Sequence, residues 1–397
     1  LMGITDVDPI RFNLLFERFI NPDRIDLPDA DLDFQSTKRE RVIKYLVDKY
    51  GSECVAGISN FSTLASASAL RDTGRVFDLP QKDLGVTKLV PKEHGKPVEL
   101  DEAAEEVAPL AEFKVKYPEV WKHAVGLEGV MKNLARHAAG VVVAGEPLVN
   151  RAVVETNRGD PVVNWDKQYV EDFGLVKIDI LGLSTLDVLD LAAQYIRERH
   201  GIEVDFLSLP LDDEKVMEAF GKGKTVGVFQ FESPGMRKLL RDLAFDRPLT
   251  FEDLSAATSL FRPGPKDSGL LDDYVAIKQG LKTPFYEHPN MRAALESTQG
   301  VLIYQEQVMQ IARDLCGYTF AEADKLRKIM GKKLPEEMAK QRDKFVQGAV
   351  ETAGMPEDQA NALFDKISNF AAYGFNRSHA VEYSVISYWT MWLKVYY

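Results

Sequence analysis

Cysteine is nearly absent from this chain: Cys54 and Cys316 are the only two in 397 residues. That excludes a disulfide framework and a cysteine-based zinc site, and it fits a reducing compartment, so a cytoplasmic setting is expected. Histidine is also sparse, six in all and scattered, with no H-E-x-x-H and no G-x-S-x-G, which leaves a zinc peptidase or a serine hydrolase without support. No apolar run approaches the length of a membrane span, nothing at the start resembles a signal peptide, and no membrane partner is expected. "GKGKT" at 221–225 looks like a phosphate loop, but Glu218 stands where a glycine is needed and no strand precedes it.

An excess of positive charge is missing too. The formal net charge is -12, which on average argues against a nucleic-acid partner. The average hides local structure, however. Glu99, Asp101, Glu102, Glu105, Glu106, Glu112 and Glu119 crowd one stretch, whereas basic residues gather at Lys222 and Lys224, at Arg237, Lys238 and Arg241, and from Lys325 to Lys333. With 45% hydrophobic and 28% charged residues, the chain has the profile of a globular protein of two or three domains. It begins at Leu1 and stops at "WLKVYY" inside a helical pattern, so both ends read as cut from a longer protein.

What is present is more telling. "LPDADLDFQ" at 27–35 alternates like a strand and places Asp29, Asp31 and Asp33 on one face, about 7 Å apart by the strand rise. Like charges so arranged raise one another's pKa and destabilise the strand unless a cation sits against them; solvated turn aspartates are the plainer alternative. The strand runs into an amphipathic helix over 39–50 with Val42, Ile43, Leu46 and Tyr50 on its apolar face. Residues 62 to about 135 read as mostly helical, a lobe inserted before the β-like runs "GVVVAG" and "FGLVKIDILGL". From Ser184 onward helical periodicity dominates.

In "VKIDILG" the alternation puts Lys177 and Asp179 on the face opposite Val176, Ile178 and Ile180. A buried carboxylate needs a partner, and either Lys177 or a bound cation can serve. A D-x-D pair on one strand and a third Asp on another is a donor set for hard, oxygen-seeking cations. Two such ions can activate an attacking oxygen and stabilise a leaving one in phosphoryl transfer.

Seven segments then carry a family resemblance. "NPDRIDLPDADLDF", "GLVKIDILGLSTL", "VFQFESPGM", "LFRPGPKDSGL", "VLIYQEQVMQIA", "GYTFAEADKLRKIMGKK" and "YGFNRSHAVEYSVISYWTMWLK" occur in order along essentially the whole chain. The sequence resembles the alpha subunits of bacterial replicative DNA polymerase III, the C-family polymerases. The resemblance implies an α+β fold: a polymerase-beta-like nucleotidyltransferase palm (1–62 and 136–185) with a helical thumb insertion (63–135), followed by a mostly α-helical fingers domain (186–397), truncated at its C-terminus. It puts the catalytic, metal-holding aspartates at Asp31, Asp33 and Asp179, with two Mg2+ ions as cofactors, and leaves Asp29 as a spare acid.

For nucleotide or DNA contact the candidates are cationic and polar. Lys325, Lys328 and Lys332 share one stripe of a helix that ends near Gly331; a solvated face is the alternative role. Arg262 in "FRPGP" has the fork geometry for phosphate, and capping or pairing within its loop is its alternative. Asn376, Arg377 and His379 form a polar cluster that the resemblance turns toward the nucleotide, although the family usually has Lys at the position of Arg377 and a small residue at that of Glu382. Lys167, Lys177, Arg136 and His137 are further candidates on the palm side.

The activity implied is templated DNA synthesis from dNTPs on a primer-template, with a sliding clamp, a clamp loader and a proofreading exonuclease as partners of regions outside this chain. A Gly-Ser loop of the family lies just upstream of the position of Leu1, so the chain alone is expected to be inactive or feeble. Two rival classes remain: a non-catalytic DNA- or replisome-binding relative, expected to have lost one of the three aspartates, and a two-metal nuclease, expected to lack the basic helical half.

Overall fold

The Asp-rich stretch forms a strand, β1 (Ala30–Gln35), in the computed structural model, which describes residues 7–15, 30–93, 96–332, 335–371 and 373–397. Asp29 lies outside the described residues. Next comes α1 (Arg39–Tyr50), whose apolar face is Val42, Ile43, Leu46 and Val47 packed against Val55, Val141 and Ile180. Tyr50, expected on that face, is exposed. It is the last helical residue, the chain turns away at Gly51 with φ 97°, and its ring lies beneath the Lys49 ammonium.

After β2 (Val55–Thr63) the chain leaves the sheet for a helical insertion: α2 (Ser66–Val76), α3 (Gln81–Leu84), a two-residue ribbon of β3 (Lys92–Glu93) and β4 (Lys96–Pro97), then α4 (Leu100–Glu106), α5 (Ala108–Lys116) and α6 (Pro118–Leu127). Leu70, Leu100, Leu110, Phe113, Val120 and Trp121 close around one another as its core. The indole N–H of Trp121 donates to Asp101, whose carboxyl the Lys114 ammonium, together with that bond, holds below the ordinary range.

The sheet resumes with β5 (Met131–Val143), then β6 (Val154–Asn157), β7 (Asp160–Val163), α7 (Lys167–Asp172) and β8 (Val176–Leu183). Its six strands run in the order β1-β8-β5-β2-β7-β6; β1/β8 and β2/β7 are parallel and the other pairs antiparallel. Residues 131–135, expected to be helical, are strand. Their side chains are exposed, so no apolar alternation announces them, and cross-strand bonding to residues 60–63 of β2 holds them extended.

Both faces of the central strands are covered, which explains the continuous burial of residues 55–59. Val55, Val141 and Ile180 face α1, while Ala56, Ile58, Val142 and Val163 pack with Val170 of α7 and with Leu175.

The other compact unit, described over residues 7–15 and 185–397, is helical. Its helices are α8 (Ser184–His200), which starts at the boundary, α9 (Glu214–Gly221), α10 (Pro234–Leu243), α11 (Phe251–Leu260), α12 (Pro263–Asp267), α13 (Leu270–Lys278), α14 (Arg292–Leu295), α15 (Gln305–Cys316), α16 (Phe320–Lys332), α17 (Pro335–Ala353), α18 (Glu357–Ala371) and α19 (Arg377–Tyr396). One core gathers Phe220, Phe231, Leu240, Leu254, Tyr304 and Tyr388. A second gathers Met309, Leu315, Leu326, Phe345, Phe364 and Ile367. Side-chain caps start several helices: Asp213 for α9, Ser233 for α10, and Thr250 with Asp253 as a capping box for α11. Among the described residues no helix is long and apolar enough to cross a membrane.

Candidate functional site

Strand pairing brings the acids together. β1 and β8 run side by side in parallel with Asp31 opposite Asp179 and Asp33 opposite Leu181. Residues in register on neighbouring strands project to the same side, so Asp31, Asp33 and Asp179 share one face of the sheet. It is the face that carries Val142 and the apolar core beneath α7, because Val142 is in register with Lys177 and Gly140 with Asp179. The face thus grades from apolar on the inner strands to acidic toward the β1 edge.

Lys177 and Asp179, two residues apart on that face, are paired: the ammonium donates to Oδ2 of Asp179 at 2.9 Å, with side-chain exposures of 8% and 16%. Oδ1 of Asp179 is buried and has no hydrogen-bond partner among the described residues. An oxygen desolvated in this way is costly unless something binds it, by about 1–3 kcal/mol. Gly140, across from Asp179, leaves the space beside that oxygen open. A Cβ there would lie 2.8 Å from Cδ1 of Ile58, 3.0 Å from Nδ1 of His137 and 3.3 Å from Oδ1 of Asp179. His137 caps the same corner, its Nδ1 accepting from the backbone N–H of Gly140 at 2.8 Å and of Ala139 at 3.3 Å.

Arg39 is a residue of this corner that the sequence did not disclose. Its Nε donates to the carbonyl of Ile180 and its Nη2 to the carbonyl of Ala138, each at 2.7 Å. Those partners are main-chain atoms 141 and 99 residues away, and no local pattern signals them. Arg136 pairs with Asp160 rather than with the acids. Lys167, first residue of α7, is exposed.

The carboxylates Asp31, Asp33 and Asp179 are hard oxygen donors suited to a divalent cation, and the unbonded Oδ1 of Asp179 fits such a role. Lys177 is the counter-charge that pairs with Asp179 here. In this structure no group of three or more His, Cys, Asp or Glu side chains among the described residues encloses a metal position.

The remaining candidates belong to the helical unit, and most are engaged with protein groups. Lys325 on α16 is exposed, whereas Lys328 pairs with Asp324 at 3.4 Å, alongside Arg327. The side chain of Lys332 lies outside the described residues. Arg262 precedes α12 and lays its guanidinium 3.8 Å from the centroid of Phe375; burial pushes its pKa below the ordinary arginine value. Asn376 is the N-cap of α19, its side chain accepting from the N–H groups of Ser378 and His379. His379 stands between Phe375 and Tyr383, with ring centroids 5.3 and 3.9 Å away.

Arg377 donates to Glu252 at 3.3 Å and its backbone N–H to Glu306 at 3.1 Å, above the Tyr304 ring. Burial raises the pKa of Glu252, and the Arg377 charge offsets only part of that rise. The neighbouring Asp253 was also missed. It bonds Lys278 at 2.6 Å and accepts from Tyr274 and twice from Thr250. Burial pushes its carboxyl up, but Lys278 and the Thr250 bonds outweigh it and hold the pKa below the ordinary value.

Comparison with known proteins gives the family. Residues 1–182 match the family model described as the bacterial DNA polymerase III alpha NTPase domain, and residues 185–353 match that of the bacterial DNA polymerase III alpha subunit finger domain. DNA polymerase III subunit alpha of Yersinia pestis is 43% identical over 448 aligned residues, covering 100% of this chain and 38% of that protein. The corresponding proteins of Thermus aquaticus and Escherichia coli K12 are 45% and 41% identical, again over 100% of this chain and over 33% and 35% of their own lengths. The chain thus spans about a third of the length of these curated relatives. With two consecutive domain models of one family matched in order, and relatives of that name aligned along the whole of this chain, the chain belongs to the family of bacterial DNA polymerase III alpha subunits.

Proposed function

We propose that this chain carries the catalytic centre of a template-directed DNA polymerase, which adds deoxynucleotides from dNTPs to a primer 3′-hydroxyl. On this reading residues 1–62 and 136–185 are the palm, 63–135 the thumb and 186–397 the fingers. Primer-template DNA is the partner of the chain itself, and the clamp, clamp loader and exonuclease engage other parts of the whole cytoplasmic protein. The observation that supports it is the register of Asp31 with Asp179 on adjacent parallel strands, beside a buried Asp179 oxygen that no group among the described residues bonds.

Asp31, Asp33 and Asp179 would hold magnesium. Bound ions there supply activation of the attacking hydroxyl and neutralisation of charge on the phosphates. The chain's own contribution is positioning and electrostatics. Lys177 fixes one Asp179 oxygen and so orients the other. Gly140 keeps the adjoining space free of a side chain. Lys325 offers an exposed cation to phosphate, and Arg262, held over the Phe375 ring, presents a guanidinium charge.

Primer extension with magnesium, by an alpha subunit of the relatives' length containing this chain, tests the reading. Asp31→Asn and Asp179→Asn should each lower the extension rate by at least ~100-fold while the far-UV circular dichroism is unchanged. Near wild-type extension by either variant would overturn the assignment. Degradation of DNA without incorporation would indicate a nuclease, and binding with neither reaction a non-catalytic relative.

A further inference from the structure

The ladder between β5 and β8 stops at the candidate site. Its registered pairs are Val143 with Val176, Val142 with Lys177, Val141 with Ile178 and Gly140 with Asp179, and none follows. Beyond Asp179, β8 continues to Leu183 with β1 as its one strand neighbour among the described residues. Asp179 therefore sits on the last rung before two strands part, facing a glycine. A strand bonded on one side has freedom to bend toward the open side, so the backbone that carries a carboxylate there is held less firmly unless another group closes the gap.

Arg39 closes it. Its guanidinium, 19% exposed, takes the carbonyl of Ile180 on β8 with Nε and the carbonyl of Ala138 on β5 with Nη2. These two bonds stand in for missing rungs on either side of the parting. Arg39 is also the first residue of α1, six residues after Asp33 and reached directly from β1. One side chain thus ties the segment that bears Asp31 and Asp33 to the residue that follows Asp179, and ties both to the strand bearing Gly140 and His137.

We infer that Arg39 is a positioning residue for the acid set, holding Asp179 in register with Asp31 through the carbonyls of Ile180 and Ala138. This inference rests on the reading of Asp31 and Asp179 as metal-holding residues. A planar guanidinium with several fixed donors can bridge two carbonyls at once, whereas an ammonium has no such rigid fork. Arg39→Lys should therefore keep the charge and restore only part of the function that Arg39→Gln loses.

The test uses the alpha subunit of full relative length carrying this chain and two readouts. Mn2+ binding is followed by electron paramagnetic resonance, and primer extension is resolved into kcat and the KM for dNTP. Groups that orient metal ligands are worth about 10–100-fold in metal affinity or activity. Arg39→Gln should weaken Mn2+ binding and lower kcat in that range, with the KM for dNTP within about twofold of wild type, and Arg39→Lys should fall between.

A residue that merely stabilises the sheet would lower the thermal midpoint and leave the Mn2+ affinity of the folded protein unchanged, and that result would overturn the inference. If Arg39→Gln does not fold, Arg39→Lys decides alone: wild-type Mn2+ affinity and kcat in that variant would overturn it. Asp179→Asn run in parallel separates the two levels. Retained extension and Mn2+ binding in Asp179→Asn would remove the reading of Asp179 as a metal-holding residue, whereas their loss beside a wild-type-like Arg39→Gln would remove only the role of Arg39.

Discussion

Two aspartates, the buried Asp253 and the half-buried Asp179, one in each unit, have opposite surroundings. Asp253 in the helical unit is saturated: Lys278, Tyr274 and two groups of Thr250 bond its two oxygens, and its neighbours hold its pKa down despite 1% exposure. Asp179 in the sheet unit has Lys177 on one oxygen and, among the described residues, no hydrogen-bond partner on the other. A carboxylate whose lone pairs are all taken locks elements together, as Asp253 does for α11 and α13. One left short of partners, at the point where a sheet opens, keeps binding capacity for something the chain does not supply. The contrast extends to the cations, since Arg377 and Lys278 are spent on protein carboxylates while Lys325 is exposed.

The largest effect expected in testing this contrast is on the saturated side. Lys278→Met leaves Asp253 buried without its counter-ion and should cost about 3–5 kcal/mol in urea unfolding. The pH dependence gives the sign. A carboxyl with a depressed folded pKa contributes stability above its unfolded value, near 3.8, which is lost as pH falls through the lower folded value. In Lys278→Met burial prevails and raises that pKa, so the acid-side loss from Asp253 should vanish or reverse; an unchanged acid limb would show that Lys278 is not what holds Asp253 ionised.

On the other side, Gly140→Ala pushes a methyl toward Ile58, His137 and Asp179 and should cost about 1–3 kcal/mol. It should also lower extension, because the displaced group is the site itself; a stable variant with full activity would mean the open space has no role. Asp31→Asn, at an exposed position, should shift the urea midpoint by no more than ~0.5 kcal/mol while abolishing extension. A large stability loss there would make Asp31 structural, like Asp253. Smallest is Lys325→Ala, neutral to stability, which should reduce the slope of log K for DNA against log salt by about 1 if Lys325 meets a phosphate. An unchanged slope would return it to a solvated face.

Much of the local structure was legible. Period-two alternation put Lys177 and Asp179 on one face, and their ion pair follows from it. Helical spacing found α1 with three of its four packing residues, and Asn376 and Arg377 were marked as a polar cluster. The cluster's uses in the fold were not legible. Asn376 caps α19, and Arg377 is committed to Glu252, 125 residues away. The exposed first half of β5 was missed because its order comes from pairing with β2 and not from any pattern of its own.

By itself the sequence determined which residue types were available on which side of a strand or helix, because side-chain direction follows from backbone period alone. It also determined membership of the family, through long motifs in fixed order. Only the tertiary structure decided that Asp31 stands opposite Asp179, that β5 leaves β8 at Gly140, and that Arg39 fills the opening. Those are choices of strand neighbour and register between segments about 100 residues or more apart. They are set by which faces can be buried together, a condition that no short stretch of chain contains.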